Sequence, residues 1–375
     1  MKVLVIPSWY PSTDSPTAGV FIHQQVRALA TCADVAVLHV DTGVADFGPA
    51  MQHEGDAVVV RTGISGSGPS ARWFGYRNAG LAAFEELRAT WGDPDIIHVQ
   101  ALWPAGIIAR ATKRRYGIPY VVTEHSEEYL AASKRRLVRT PGVVPLLLRP
   151  LAMGASRTIV VSRFLADRLV ELGLAVDPVV IPNVVPVSDP EPPVLGTPHT
   201  IAHVSVMGPA KNLDGLLHAV AKLRERRRDF ALRLVGDGEC RAQLEVICGQ
   251  LELGEIVEFT GRKHDAEVRA ILAGSAFTVV SSTHETFSVS AAESLMCGRP
   301  VVSTRCGGPE EFIGQDVGRL VDVGSVDALV EGLDWMLDHF AEFEPEVLHR
   351  YALERFAPGV IAERILDVYM KVLRG

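Results

Sequence analysis

Cysteine is scarce in this 375-residue chain, and what there is forms no motif. Cys32, Cys240, Cys248, Cys297 and Cys306 make neither a CxxC pair nor a metal-ligand spacing, which reads as reduced, small apolar residues rather than a disulfide scaffold or a zinc site. Long hydrophobic runs are missing too. No window holds the roughly 18 uncharged apolar residues that a membrane span needs. The opening MKVLVIPSWYP is too short for a signal h-region and has no cleavage pattern. Positive charge is in deficit, with a formal net charge of −8 and a pI near 5.9, which argues against a general nucleic-acid binder. The dinucleotide fingerprint GxGxxG is absent, and there is no short repeat or low-complexity tract. Together these absences predict a cytoplasmic protein whose membrane contact, if any, is peripheral.

What is present is a rich supply of buried-strand and helix patterns. Hydrophobic residues make up 47% and charged residues 22% of the chain, and its length exceeds what one core usually covers, so two domains are expected. Strand patterns in the first half are KVLVI (2–6), VAVLHV (35–40), AVVV (57–60), IIHV (96–99), YVVT (120–123), TIVV (158–161) and VVIP (179–182). Helical patterns such as FIHQQVRALA and AGIIARATKRRYG lie between them. Runs apolar on both faces and separated by helices predict a parallel sheet covered on both sides. A proline-rich stretch with Pro182, Pro186, Pro190, Pro192, Pro193 and Pro198 reads as a linker. The alternation then restarts with IAHVSV, FALRLVG, IVEFTG, FTVVSS and PVVST. The expected architecture is α/β, with two doubly wound parallel-sheet domains facing a cleft and ligands at the carboxyl ends of the strands.

Four segments carry chemistry. In SSTHETFSVSAAESLMCGRPVV, Glu285 and Glu293 stand with seven residues between them, around the start of an apolar helix. Free N–H groups at a helix start suit phosphates, and carboxylates suit sugar hydroxyls, so the segment reads as a receptor for a nucleotide-sugar. A glycosidase acid pair would also use two carboxylates, but those usually flank the scissile bond from different strands. In SWYPSTDSPTAGVFIHQQ, Gly19 sits where a loop enters a helix, serving either an anion or only a tight turn. His125, in YVVTEHSEEY, follows a buried strand at its carboxyl end, where it can donate to a sugar hydroxyl or to developing charge, or be satisfied by the loop backbone. Lys211, in VSVMGPAKNLDGLLHAV, precedes a helix whose cap could be Asn212. A lysine there is electrostatically poor for the helix unless an anion such as a diphosphate bridges them. His98 and His203 lie within strand patterns and read as core. Asp93-Pro94-Asp95 precedes a strand, at the wrong end for ligands, and reads as a turn rather than a metal site. The basic, apolar stretch SKRRLVRTPGVVPLLLRP (133–150) could rest on an anionic membrane surface or be a solvated face.

These motifs resemble a known family. HETFSVSAAE resembles the E-x7-E signature of retaining glycosyltransferase family 4, which has the GT-B fold. SWYPSTDSPTAGVFIHQQVRALA resembles its N-terminal glycine loop, and the opening is similar to that of bacterial surface-polysaccharide transferases. PDIIHVQALWPAGIIA, IPYVVTEH, VVIPNVV, AKNLDGLLHAV, LRLVGDGECRAQLE, VEFTGR, ESLMCGRPVV and GGPEEFI follow in family order. The resemblance implies two Rossmann-like domains. The N-terminal, acceptor-side one would comprise residues 1–186 with a returning C-terminal helix at 358–375. Residues 187–198 would be the linker and 199–357 the nucleotide-sugar domain. By matching motif, Lys211 would contact the diphosphate. Glu285 would hold the donor sugar near the backbone of Phe287, Ser288 and Val289, and Glu293 would take the ribose hydroxyls. Arg262 would lie near the base, Gly19 would face the phosphate and His125 the sugar. The sequence departs from the family at three places: SVMGPA stands where an arginine usually precedes the lysine, Ser288 where glycine is usual, and Pro182-Asn183-Val184 where PNG is usual.

The implied activity is sugar transfer from a UDP- or GDP-linked donor to a glycan, lipid-linked or small-molecule acceptor. Attack would come from the front face, with neither metal nor cofactor and with no nucleic-acid partner. No side chain presents itself as a double-displacement nucleophile, so the catalytic residues would be His125, Lys211 and Glu285, acting by position and charge. A nucleotide-sugar-binding protein without transfer activity, and an epimerase of the same fold, stay open beside it.

Overall fold

The computed structural model describes residues 1–12, 15, 17–65, 69–130, 142–190 and 197–375. The chain divides into two compact units, Met1–Val184 together with Pro358–Gly375, and Val185–Ala357.

The first unit is built on β1 (Lys2–Pro7), β2 (Asp34–Thr42), β3 (Phe47–Glu54), β4 (Ala57–Ile64), β5 (Ile96–Gln100), β6 (Tyr120–Glu124), β7 (Arg157–Val160) and β8 (Val179–Val180), in the spatial order β3-β4-β2-β1-β5-β6-β7-β8. All neighbours are parallel except β3, which runs antiparallel to β4. The sheet is therefore mixed, where the sequence predicts a purely parallel one. β3 escapes sequence reading because FGPAMQHE is mostly exposed and carries a proline, which only an edge strand tolerates. The strand order reverses between β1 and β5. The loops after those strands therefore flank the crevice where ligands bind in such sheets. The last helix, Pro358–Arg374, buries Ile361, Ala362, Ile365, Val368 and Tyr369 in this unit's core, beside Val3, Val5 and Ile22. Each of the two isoleucines and the valine is worth about 1.5–3 kcal/mol of apolar transfer.

The second unit has β9 (His199–Val204), β10 (Phe230–Val235), β11 (Val257–Gly261), β12 (Phe277–Val280), β13 (Val301–Thr304) and β14 (Gly318–Val321), ordered β11-β10-β9-β12-β13-β14 and all parallel. Its reversal lies between β9 and β12. β14 was not expected: GRLV is short and opens on a glycine whose added Cβ would lie 2.0 Å from the Val301 carbonyl oxygen, so close strand packing, not propensity, selects the residue. Among the described residues no helix is long and apolar enough to cross a membrane. Residues 133–141 of the basic stretch, and 191–196 of the linker, lie outside the described residues. Val143–Leu148 forms a helix with Leu148 buried and Leu146 80% exposed.

Candidate active site

Two loops meet at the reversal of the second sheet. The one after β9 makes a single turn at Pro209–Lys211 and turns through Asn212 at φ 50°, which caps the helix Leu213–Arg224 by backbone alone. The one after β12 runs through Ser281–Ser288 into the helix Val289–Met296. They are stitched together: Thr283 N donates to the Ala210 carbonyl at 2.8 Å, and Ser281 Oγ donates to the Lys211 carbonyl at 2.8 Å. That stitching places Lys211 Nζ 2.6 Å from Glu285 Oε1. Ser282 Oγ donates to the same oxygen at 2.7 Å. Burial alone would raise the Glu285 pKa, but the neighbouring ammonium and the Ser282 hydroxyl outweigh it and hold the carboxyl below its ordinary value. The backbone of Glu285 is fixed as well, since its N–H donates to the Cys306 carbonyl and its own carbonyl accepts from Gly308 N.

Glu293 has different neighbours. It lies in the second turn of the helix Val289–Met296 and not at the helix start. Burial, helped by the negative charge of Asp265 and opposed by Arg269, pushes its pKa up to about 7. The E-x7-E pair is therefore one carboxylate kept ionised by a lysine and one poised to change protonation near neutrality.

The remaining predicted residues of this unit fall into place as follows. Phe287 is buried and packs its ring on Phe312 and Phe356, with centroids 5.3 and 5.5 Å away, so only its backbone is left for a ligand. Ser288 has φ 71° and ψ 84°, in the left-handed region that glycine enters freely and serine does not. Val289 opens the helix. Arg262 is exposed and follows β11, two strands from the reversal.

The first unit carries Gly19 and His125. Gly19 caps the helix Val20–Ala30 with φ 68°, and an added Cβ would lie 2.5 Å from the Trp9 carbonyl oxygen; the turn itself demands glycine. His125 follows β6. Its Nε2 lies 2.7 Å from Gln100 Oε1, and its ring packs on Phe21, from the Gly19 helix, at 4.8 Å. Burial pushes its pKa down to about 3. Gln100, at the end of β5, was not singled out from sequence, although IIHVQ places it at the carboxyl end of a strand beside the reversal. Ser282, Asp265 and Arg269 were missed for a different reason: what they do is set by contacts across segments. Asp93 pairs with Arg88, and Asp95 accepts from the Lys2 backbone N–H at 2.7 Å. Among the described residues no group of three or more His, Cys, Asp or Glu is placed to hold a metal ion.

In the second unit, the loops after β9 and β12 thus bring a lysine and a carboxylate together at the sheet reversal. Residues 188–348 match the family described as Glycosyl transferases group 1, and residues 18–189 match Glycosyltransferase Family 4. The chain belongs to these glycosyltransferases and has the GT-B fold. It is 34% identical over 177 residues to MMP alpha-(1->4)-mannosyltransferase of Mycolicibacterium hassiacum, a match spanning 46% of this chain and 43% of that relative. The match thus spans less than half the relative's length. Sucrose-phosphate synthase from Thermosynechococcus elongatus superposes with a TM-score of 0.78 at 19% identity, covering all of both chains. Anabaena HepE in complex with UDP and glucose superposes with a TM-score of 0.73 at 18% identity, over 99% of this chain and 100% of that one.

Proposed function

We propose that the protein is a retaining glycosyltransferase that moves a sugar from a UDP- or GDP-linked donor to a hydroxyl-bearing acceptor. The observation that carries this reading is the Lys211–Glu285 pair at the reversal of the second sheet. When a donor binds, the ammonium can turn from Glu285 to the diphosphate, and the freed carboxylate can accept from sugar hydroxyls. The leaving diphosphate gains charge as the glycosidic bond breaks. Lys211 and the N-terminus of the helix Val289–Met296 stabilise that charge. A phosphate oxygen of the departing donor takes the acceptor's proton, so no side chain serves as nucleophile and no resident metal is called for. Glu293, with its proton affinity near neutrality, grips the ribose hydroxyls, and Arg262 is assigned to the base. Gly19 and His125 are assigned to the phosphate and the sugar.

The acceptor side is assigned to the first unit. An open cavity of about 780 Å³ lies at the carboxyl ends of β1 and β2, walled by Trp9, Tyr10, Asp41, Glu54 and Arg61. Its carboxylates face Arg61, with Asp41 at 3.7 Å and Glu54 at 3.9 Å. Such a lining favours a neutral hydroxylated ring over a phosphorylated one. The basic stretch 133–150 is assigned to peripheral contact with a membrane that would present a lipid-linked acceptor.

The test is donor hydrolysis and sugar transfer by wild type, Lys211→Ala and Glu285→Ala, after a thermal-shift screen of nucleoside diphosphates has named the base. Equal rates in all three would refute the assignment. The segment SVMGPA, which has no cation before Lys211, favours a second reading, a nucleotide-sugar binder without transfer. Tight diphosphate binding with no turnover on a broad acceptor panel would select it.

A further inference from the structure

We propose that Phe312 and Phe356 are positioning residues for the diphosphate: with Phe287 they form an aromatic clamp that keeps Ser288 from capping the helix Val289–Met296, so that the first-turn N–H groups of that helix stay open to the ligand. This rests on the reading of that helix N-terminus as a diphosphate site.

Ser126, Ser162 and Ser325 show how a serine at a helix start behaves in this chain. They head Glu127–Tyr129, Arg163–Glu171 and Val326–His339 with extended backbone, at φ −72°, −157° and −103°. Each hydroxyl accepts a first-turn backbone N–H, from Glu128, Leu165 and Ala328 at 3.1, 3.2 and 3.1 Å. That is the usual N-cap, and it satisfies a donor that the helix itself cannot. Ser288 does the opposite. Its φ is 71°, and its side chain makes no cap hydrogen bond. The left-handed backbone strains a serine where it would not strain a glycine. A serine released from that strain turns extended and places its own oxygen on the N–H groups that an anion needs. The strained form persists only if something else holds it.

The clamp is what holds it. Phe287 precedes Ser288 directly and sits in a closed triangle of rings. Its centroid lies 5.3 Å from Phe312 and 5.5 Å from Phe356, and those two lie 5.3 Å from each other. Phe356 meets both partners edge to face, at 76° and 74°, a geometry that aromatic rings favour. Both partners are anchored from elsewhere. The Phe312 carbonyl accepts from the Tyr351 hydroxyl at 2.8 Å. The loop that carries Phe312 is bonded to the site loop, with Glu285 N on the Cys306 carbonyl at 2.7 Å and Gly308 N on the Glu285 carbonyl at 3.0 Å. Phe356 ends the helix Pro345–Phe356, and its carbonyl accepts from Val185 N at 2.9 Å. Turning Ser288 to an extended backbone reorients the chain at Phe287, so that its ring must leave both partners. The apolar burial lost there outweighs the one hydrogen bond that a cap gains. All three rings are buried, so the clamp acts through the backbone of Phe287 and Ser288.

The test is a substitution cycle read by calorimetry with UDP and with GDP. Phe356→Leu and Phe312→Leu should each weaken the diphosphate that wild type binds, roughly tenfold. Adding Ser288→Gly should restore most of that loss, because glycine takes a φ of 71° without strain and has no hydroxyl to cap with. Phe230→Leu perturbs the core of the same unit at the amino end of β10, the far end of the sheet from these loops; it should lower stability and leave the affinity unchanged. In ligand-free protein labelled with 13C-serine, with Ser288→Gly for assignment, the Ser288 Cα and Cβ shifts should read left-handed in wild type and move toward extended in both leucine variants. Wild-type affinity in both leucine variants, a loss that Ser288→Gly does not restore, or Ser288 shifts that neither variant moves overturns the proposal. If one leucine variant does not fold, the other decides. If neither diphosphate binds wild type, the donor reading of the helix terminus falls, and the Ser288 shifts alone decide whether the clamp holds the serine.

Discussion

Replacing Lys211 by alanine should destabilise the second unit, and by more than replacing its partner does. The pair is 2.6 Å long, and its side chains are only 24% and 12% exposed. At an effective dielectric of 20 the bare attraction is about 6 kcal/mol, much of which desolvation of both ions offsets. Removing one member of a buried pair typically costs about 3–5 kcal/mol, because the other is left charged and unpaired. Ser282 still donates to Glu285, and neither side chain is fully enclosed, so about 2–4 kcal/mol is expected for Lys211→Ala. For a unit of this size that lowers Tm by roughly 5–12 °C. Glu285→Gln should cost less, since the stranded lysine is the more exposed partner and has a flexible stem that reaches water.

The pH dependence supplies the sign. The Glu285 pKa is held below its unfolded value, so its contribution is present above the unfolded carboxylate range and fades as pH falls through the folded pKa. The gap between wild type and Lys211→Ala should therefore be full at pH 7 and shrink on acidification. Urea unfolding at pH 7 and pH 4, followed by circular dichroism, measures it. A Lys211→Ala protein as stable as wild type at pH 7, or a gap that widens in acid, refutes the reasoning.

Three further outcomes follow from the geometry. If Glu293 has a pKa near 7 and accepts from ribose hydroxyls when ionised, nucleotide-sugar affinity should rise about tenfold from pH 6 to pH 8; calorimetry with an intact donor, whose phosphates do not titrate there, should show that slope in wild type and none in Glu293→Gln. Gly19→Ala should cost at least about 2 kcal/mol, because it adds left-handed strain to a 2.5 Å contact with the Trp9 carbonyl oxygen; an unchanged urea midpoint would contradict this. In the cavity of the first unit, Asp41→Asn should weaken saturation-transfer signals from methyl α-D-hexopyranosides and strengthen those from a hexose 6-phosphate, while leaving donor hydrolysis unchanged; a preference for the phosphorylated sugar in wild type would reverse the assigned acceptor chemistry.

Most of the fold was legible because parallel strands covered on both faces must be apolar throughout. β1, β5, β6, β9 and β13 announce themselves as short runs of valine and isoleucine. The two strands that did not, β3 and β14, are edge strands whose residues answer to partial exposure and to close backbone approach. The candidate site divides along the same line. Lys211 and Glu285 were visible as residues because each sits on a loop after a strand, but their mutual pairing was not, since it depends on Thr283 and Ser281 tying one loop to the other. Spacing made Glu285 and Glu293 look like equal grips at one helix start. The structure separates them by environment: one carboxylate faces an ammonium and stays ionised, and the other lies half-buried on a helix beside Asp265 and can hold a proton at neutral pH. Two acids of one motif with opposed proton affinities can answer different parts of a donor in different ways, a charged grip for the sugar and a pH-sensitive one for the ribose. The spacing fixes where the acids stand along the chain; their neighbours decide what each can do.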